Sequence, residues 1–188
     1  MKSEIFIKNM VCPRCITAVE KVLTEQNIPF QSVQLGKAII EENLDKHKKD
    51  SLAKNLQNEG FELLDDKKTK ISEQIKNTIV EFVHYQNKNM KQNLSDYLSS
   101  KFNMDYSSLS KLFSSQEKIT IEKYLIKQKI ERAKELLSYD EKTLNEIAYE
   151  LNYSSSAYLS AQFKAVTGIT PSKYKELKPD DRKSLDAI

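Results

Sequence analysis

Residues 147–175 read IAYELNYSSSAYLSAQFKAVTGITPSKYK, and this stretch decides the fold of the second half of the chain. Apolar residues recur there at helical spacing on both sides of a short polar segment. Asn152 falls in that segment, where a left-handed backbone often follows a helix. The predicted inward stripes are Leu144, Ile147, Ala148 and Leu151 in one helix and Leu159, Phe163 and Val166 in the next. Two short crossed helices joined by a turn are typical of a helix-turn-helix unit.

The same pattern occurs twice in the chain, at an offset of 50 residues. The first copy is Leu94, Leu98, Leu109, Ser110, Phe113, Ile119, Thr120, Lys123 and Tyr124, and the second is Leu144, Ala148, Leu159, Ser160, Phe163, Ile169, Thr170, Lys173 and Tyr174. The repeat predicts one structural unit used twice. Each copy opens with a helix-capping signal, Thr143 with Glu146 and a weaker one at Asn93 with Asp96.

Between the two copies, the 20 residues from Thr120 to Tyr139 predict one helix. At 1.5 Å per residue it is about 30 Å long. Successive major-groove faces on one side of B-DNA lie about 34 Å apart, so this helix would hold two reading helices on adjacent turns of one duplex. The alternative is a purely helical interaction domain whose duplicated helix pairs bind a protein.

These residues also resemble a known family. Ile147-Ala148-Tyr149, Tyr158-Leu159-Ser160 with Phe163-Lys164, and Thr167-Gly168-Ile169-Thr170-Pro171-Ser172 with Tyr174-Lys175 are similar to the DNA-binding domain of AraC/XylS transcription regulators, over about residues 71–177. The resemblance implies an all-α domain with two helix-turn-helix units on a linker helix, and double-stranded DNA as its partner. Asn152 and Lys118 stand where the family usually has glycine, and Lys118 is expected to make the exit from the first unit less favourable.

Helical geometry predicts which side chains face DNA. The outward face of the first reading helix consists of Ser107, Ser110, Lys111 and Ser114, and that of the second consists of Ala157, Ser160, Ala161 and Lys164. Lys127 and Lys129 on the linker helix lie where the family tends to place basic residues, and we expect them to contact phosphates. Ordinary solvated helix surface is the alternative interpretation of each lysine.

Composition limits what kind of protein this is. The chain has 188 residues, enough for two small domains, and 39% of them are hydrophobic. Up to Asp66 it carries 9 Lys and Arg against 11 Asp and Glu, whereas the remainder carries 21 against 16. The second half is therefore the part suited to a polyanion. No apolar run exceeds three residues, so we expect neither a membrane nor a secretory segment, and cytoplasmic localisation.

The first 66 residues predict a separate α+β domain. Period-2 alternation at Ile5 and Ile7, with further apolar segments at 33–35, 38–40 and 61–64, indicates four strands, and two helical stripes fall between them. The order is βαββαβ, a ferredoxin-like arrangement. We therefore predict a domain at 1–66, a charged linker at 67–70 and an all-α double helix-turn-helix domain at 71–188.

A pair of cysteines lies between the first predicted strand and the first helix. Cys12-Pro13-Arg14-Cys15 brings two sulfurs to a helix N-terminus, which should lower their pKa and favour thiolate. Two thiolates suit a soft ion of low coordination number, Cu(I) above all, whereas structural zinc usually takes four ligands. A thiol redox switch and cysteines that only pack are the alternatives, and no other cofactor is expected. His47 and His84 are interpreted as surface residues rather than a third ligand.

This loop carries a second resemblance, over about residues 1–66. Asn9-Met10-Val11-Cys12 with Cys15, followed by the βαββαβ order, is similar to the heavy-metal-associated domain of copper chaperones and transport ATPases. The resemblance implies a metal site at Cys12 and Cys15. Asn9 replaces a usual glycine and Arg14 a usual small residue.

Together these features indicate a sequence-specific transcription regulator that responds to a soft metal ion such as Cu(I) or to thiol redox state. The alternative is a metal carrier whose helical domain binds a protein partner. No catalytic constellation is visible, so no enzymatic activity is expected. A homodimer stays open from sequence.

Overall fold

A four-stranded antiparallel sheet forms the first part of the chain in the computed structural model, which describes residues 2–85, 93–177 and 185. The elements are β1 (Ser3–Lys8), α1 (Pro13–Glu25), β2 (Phe30–Gln34), β3 (Lys37–Ile40), α2 (Lys46–Asn58) and β4 (Glu62–Leu64). The strand order is β2-β3-β1-β4, so β1 lies between β3 and β4. Helices α1 and α2 contact each other, and residues of both helices and of the sheet form one apolar core.

Strand alternation sets which side chains enter this core. Ile7, Ala38 and Ile40 are buried, and their neighbours along each strand are less so. The turn between β2 and β3 lies at Leu35 and Gly36. Gly36 has a φ of 78°, which glycine adopts without steric cost.

Helix α3 (Lys67–Val80) follows β4 closely, so residues 67–70, predicted to be a linker, form its first turn. The contacts divide the chain into Met1–Asn77 and Thr78–Ile188. The first unit extends past residue 66, and Glu73 of α3 contacts the backbone of Asn9 within it. Helix α3 is thus divided between the two units, with Ile75 in the first and Ile79 in the second.

The described residues of the second unit form helices joined by turns. After a π-helical turn at Glu81–Tyr85 come α4 (Leu94–Phe102), α5 (Tyr106–Glu117), α6 (Ile121–Tyr139), α7 (Leu144–Glu150), α8 (Ser156–Thr167) and α9 (Pro171–Leu177). Helix α6 matches the predicted linker helix, with Thr120 as its N-cap, and is about 28 Å long at 1.5 Å per residue. Residues 86–92, 178–184 and 186–188 of the predicted 71–188 domain lie outside the described residues.

The two halves of this unit repeat the same local geometry 50 residues apart, which confirms the predicted duplication. The equivalent features are the N-caps Asp105 and Ser155, the left-handed residues Lys118 and Gly168, the N-caps Thr120 and Thr170, and the ring pairs Phe113–Tyr124 and Phe163–Tyr174. The ring centroids are 5.7 Å apart in the first pair and 5.4 Å in the second. The same core contact therefore seats each reading helix, α5 or α8, on the helix that follows it.

Three local predictions have different outcomes in the structure. The capping box of Thr143 and Glu146 is present. Asn93 is the N-cap residue of α4, but its side chain makes no capping hydrogen bond. Val166, predicted to face inward, is 47% exposed because it lies in the last turn of α8, beyond the packed positions Leu159 and Phe163.

No helix among the described residues is long and apolar enough to cross a membrane.

Candidate nucleic-acid interface and cysteine loop

The side chains predicted to contact DNA lie on the less buried faces of α5 and α8. Ser107, Lys111, Ala157, Ala161 and Lys164 are exposed, whereas Ser110, Ser114 and Ser160 are half-buried. The opposite faces bury Leu109 and Phe113 in α5, and Leu159 and Phe163 in α8. Each helix therefore presents small and basic side chains on the side away from its core.

The first turn of α5 is organised around Asp105. Its carboxylate accepts hydrogen bonds from the Ser108 amide at 2.9 Å and from the hydroxyls of Ser107 and Ser108, each at 2.6 Å. These hydrogen bonds to the ionised form hold the pKa of Asp105 well below its usual range. The Ser107 hydroxyl proton is thus directed to Asp105, which leaves the oxygen lone pairs of Ser107 as the group available to an incoming donor.

The structure separates the two lysines that the sequence treated alike. Lys127 is exposed on α6. The Nζ of Lys129 lies 5.0 Å from the centre of the Tyr153 ring, and burial lowers the pKa of this lysine. Lys127 is therefore the side chain free to extend toward a phosphate, and Lys129 also links α6 to the turn between α7 and α8.

A polar cluster at the start of α8 was missed by the sequence analysis. The Tyr153 hydroxyl donates to Gln162 Oε1 at 2.9 Å, and Gln162 Nε2 donates to the Tyr158 hydroxyl at 3.2 Å. Burial raises the pKa of Tyr153 to about 12, so its hydroxyl stays a donor at neutral pH. Tyr158 is 52% exposed beside Ala157 and is a further candidate for DNA contact. The spacing of Tyr158 and Gln162, four residues apart on one helix, was the available signal.

The cysteine loop brings its two sulfurs together. Cys12 Sγ and Cys15 Sγ are 3.3 Å apart, and neither residue is in a disulfide. Cys12 is the N-cap of α1 in an extended conformation, and Pro13 occupies the first turn, where a missing N–H is tolerated. Cys15 Sγ also lies 4.0 Å from the carbonyl oxygen of Asn9, to which it donates.

The pKa of the Cys15 thiol is raised, contrary to the expectation from its place at a helix N-terminus. Burial raises it, and the hydrogen bond from the Val11 backbone lowers it by less. Burial is the largest cause, because desolvation disfavours the thiolate. Cys15 is therefore a protonated donor in the metal-free, reduced loop.

The donor set at this loop is small. Within 2–85, 93–177 and 185 no three His, Cys, Asp or Glu side chains come together as a metal-binding group. The two sulfurs, 3.3 Å apart, must separate to hold a two-coordinate thiophilic ion, since two collinear metal–sulfur bonds of about 2.3 Å place the sulfurs about 4.6 Å apart. A side-chain rotation therefore has to accompany binding.

The two histidines differ in their surroundings. His47 is exposed on α2, as predicted. The prediction of a surface residue is wrong for His84, which is half-buried in the π-helical turn with Nε2 3.1 Å from Gln128 Oε1 of α6. Gln128 is buried and needs partners for its amide, which explains the contact.

Comparison with known proteins agrees with this geometry. The family described as "Helix-turn-helix domain" matches residues 98–177. A probable transcriptional regulator, LumQ of Photobacterium leiognathi, is 31% identical over 64 residues, which are 34% of this chain and 26% of LumQ. The chain thus spans about a quarter of the length of this curated relative.

The chain is also similar to solved structures. The C-terminal domain of AraT, a response regulator from Geobacillus stearothermophilus, is 22% identical with a TM-score of 0.51, covering 63% of this chain and 95% of that domain. The C-terminal domain of the response regulator yesN from Fusobacterium nucleatum is 28% identical with a TM-score of 0.46, covering 54% and 98%. Residues 98–177 are therefore similar to helix-turn-helix domains, and the likeness to the AraT domain shows the same fold.

Proposed function

We propose that this chain is a sequence-specific, double-stranded DNA-binding transcription regulator that acts in the cytoplasm. The observation that carries the proposal is the duplicated geometry of α4–α5 and α7–α8, with equivalent caps, turns and ring contacts 50 residues apart. Two such units on one 19-residue helix suit two successive major grooves of one duplex. One chain then suffices for a two-part site, and self-association stays a prediction.

Selection of bound sequences from a random duplex pool by the full chain tests this proposal. We expect an enriched motif of two parts separated by about one helical turn, with affinity that falls steeply as salt rises. Equal retention of all duplexes at physiological salt would contradict sequence-specific binding and favour the metal carrier with a protein partner.

We further propose that the first unit is a ferredoxin-like domain of the heavy-metal-associated kind, and that it is the sensory part. The order of its elements, with β1 between β3 and β4, and the placement of the cysteines between β1 and α1 support this assignment. Cys12 and Cys15 would hold Cu(I) or another soft ion through their two sulfurs. Their closeness also suits reversible disulfide formation, the redox form of the same proposal.

Metal binding is tested by dialysis against a Cu(I)-buffering chelator under reducing conditions. We expect one Cu(I) per chain, lost in Cys12→Ser and Cys15→Ser, with Zn(II) held much more weakly. Equal retention of Cu(I) by the double serine variant would exclude the loop as the site.

Regulation requires that metal or oxidation change operator affinity. By linkage, operator DNA must then change metal affinity by the same factor. Identical operator affinities for the metal-free, Cu(I)-loaded and oxidised chain would leave the first unit without a sensory role.

A further inference from the structure

A buried carboxylate of α3 contacts the cysteine loop. Glu73 is 4% exposed, and its Oε1 accepts a hydrogen bond from the backbone amide of Asn9 at 3.0 Å. Its Oε2 lies 3.4 Å from Lys76 Nζ, one turn further along α3. A buried carboxylate is costly unless such donors satisfy it, so the position of Glu73 depends on the position of the Asn9 amide.

Asn9 is also in contact with the cysteines. Its carbonyl oxygen is the acceptor for Cys15 Sγ, and its side-chain amide donates to the Gly60 carbonyl at 3.0 Å. Asn9 has a φ of 71°, a left-handed conformation that a residue with a side chain adopts at a cost. The backbone of Asn9 therefore makes both contacts: its carbonyl accepts from the Cys15 thiol, and its amide donates to Glu73.

The docked position of α3 is not fully stabilised either. Asn77, one turn beyond Glu73, is buried with its side-chain amide over Gly36, and neither its nitrogen nor its oxygen has a hydrogen-bond partner among the described residues. Unsatisfied buried amides disfavour the state that contains them. The free-energy difference between this position of α3 and an alternative position is therefore smaller than it would be if Asn77 were hydrogen-bonded. A switching element requires a small difference of this kind.

Beyond Asn77 the same helix enters the second unit. Its last residues, 78–80, belong to that unit and lead into the π-helical turn Glu81–Tyr85. His84 of that turn contacts Gln128 of α6, and Gln128 Nε2 donates to the Tyr124 hydroxyl at 3.0 Å. Tyr124 packs against Phe113 of the reading helix α5.

We propose that Glu73 couples the chemical state of Cys12 and Cys15 to α3, and so to the helix that carries the reading helices. Glu73 is a positioning residue: it touches neither metal nor DNA. When a disulfide forms or an ion binds, Cys15 loses the proton that it donates to the Asn9 carbonyl. The backbone of Asn9 then rotates, and its amide no longer donates to Glu73. The inference rests on the proposed sensory function of the loop.

Hydrogen exchange of the full chain tests the coupling, with disulfide formation by an azodicarboxamide oxidant as the probe. The S–S bond forms as both S–H bonds break, and two protons and two electrons reduce the azo bond to a hydrazine. We expect oxidation to speed exchange of the Asn9 amide and of amides 78–80 by about tenfold or more, the factor for loss of one charge-assisted hydrogen bond.

Three variants test the role of the Glu73 carboxylate. Glu73→Met keeps the volume but has no acceptor, so its amides 78–80 should exchange equally in the reduced and oxidised chain. Glu73→Gln retains an acceptor and should restore part of the response. Glu4→Gln removes a carboxylate paired with Lys37 on the exposed side of the sheet and should respond like the wild type.

The outcomes are distinct. An equal response of Glu73→Met and wild type overturns the coupling, as does a wild-type chain whose amides 78–80 do not change when the disulfide is complete; this second result needs no variant to fold. If the amides respond and operator affinity does not, the coupling stands and the proposed sensory function fails. If operator affinity responds equally in wild type and Glu73→Met, the function stands and the coupling fails.

Discussion

At the scale of single residues, the reading helices present lysine, serine and alanine. The arginines of the chain are Arg14, Arg132 and Arg182, none of them on α5 or α8. Lysine can contact guanine, although less selectively than a bidentate arginine, and small side chains suit close approach and thymine methyl groups. We therefore expect the half-site under the first unit to contain a required G and the half-site under the second to be richer in A and T.

Lys111→Ala tests this assignment. We expect a loss of about 1 to 3 kcal/mol in operator binding and a relaxed preference at one position, because a base contact discriminates where it is made. Ala161→Gly on α8 should have a smaller effect. The measurement is the affinity of each variant for the selected motif and for its single-base variants. The assignment is wrong if the strongest G preference lies under α8 and is unchanged by Lys111→Ala.

We expect Lys127 and Lys129 of α6 to differ in their effects on DNA binding and thermal stability. Lys127→Ala should weaken binding to all duplexes alike and reduce the slope of log affinity against log salt by about 1, because one phosphate contact is lost. Lys129→Ala should lower the thermal midpoint as well, since its stem and ammonium cover Tyr153. Salt titrations and melting curves of both variants check this. Identical behaviour of the pair would show that the Tyr153 contact does not distinguish them.

The cap of α5 predicts a pH dependence. The folded pKa of Asp105 is below its ordinary value, so the carboxylate stabilises the fold fully above about pH 4, its unfolded value, and this contribution is lost as pH falls through the lower folded value. The midpoint difference between wild type and Asp105→Asn should shrink between pH 5 and strongly acidic pH. Asp50→Asn, at an exposed position of α2, is the control. A difference that is constant across this range contradicts the cap as described.

At the scale of elements, periodicity and turn residues predicted most of what forms. The reading helices, the linker helix and the left-handed Asn152 follow from local chemistry, and Asn152 has a φ of 54°. Other local features differ from the prediction. The Asn93 side chain makes no cap contact, Val166 at the end of α8 is exposed, and residues 67–70 form the first turn of α3.

The duplicated exit turns offer a reciprocal test. Lys118 has a φ of 60° and Gly168 a φ of 84°, at equivalent positions. Lys118→Gly should raise the free energy of unfolding by about 1 kcal/mol, and Gly168→Lys should lower it by a similar amount, because only glycine adopts this conformation without steric cost. A Cβ at Gly168 meets nothing within 4 Å, so the cost there is conformational. Denaturant unfolding of both variants measures it, and changes of the same sign would refute the explanation.

At the scale of the whole molecule, the charge difference between the two parts of the sequence indicated which one suits DNA. The exposure of Lys111 and Lys164 was predictable, because it depends on helical faces. Contacts between distant segments were not predictable, such as Lys129 over Tyr153 or Glu73 on the Asn9 amide. Those contacts join residues of different elements, and no local pattern specifies them.

We infer that one chain binds two successive major grooves of one duplex. A hydroxyl-radical footprint of the full chain on its selected duplex tests this, at a protein concentration where the complex contains one chain. We expect two protected patches on one face of the duplex, about 10 base pairs apart, with Lys111→Ala weakening one of them. A single patch no longer than one half-site, or even protection along the duplex, would contradict it.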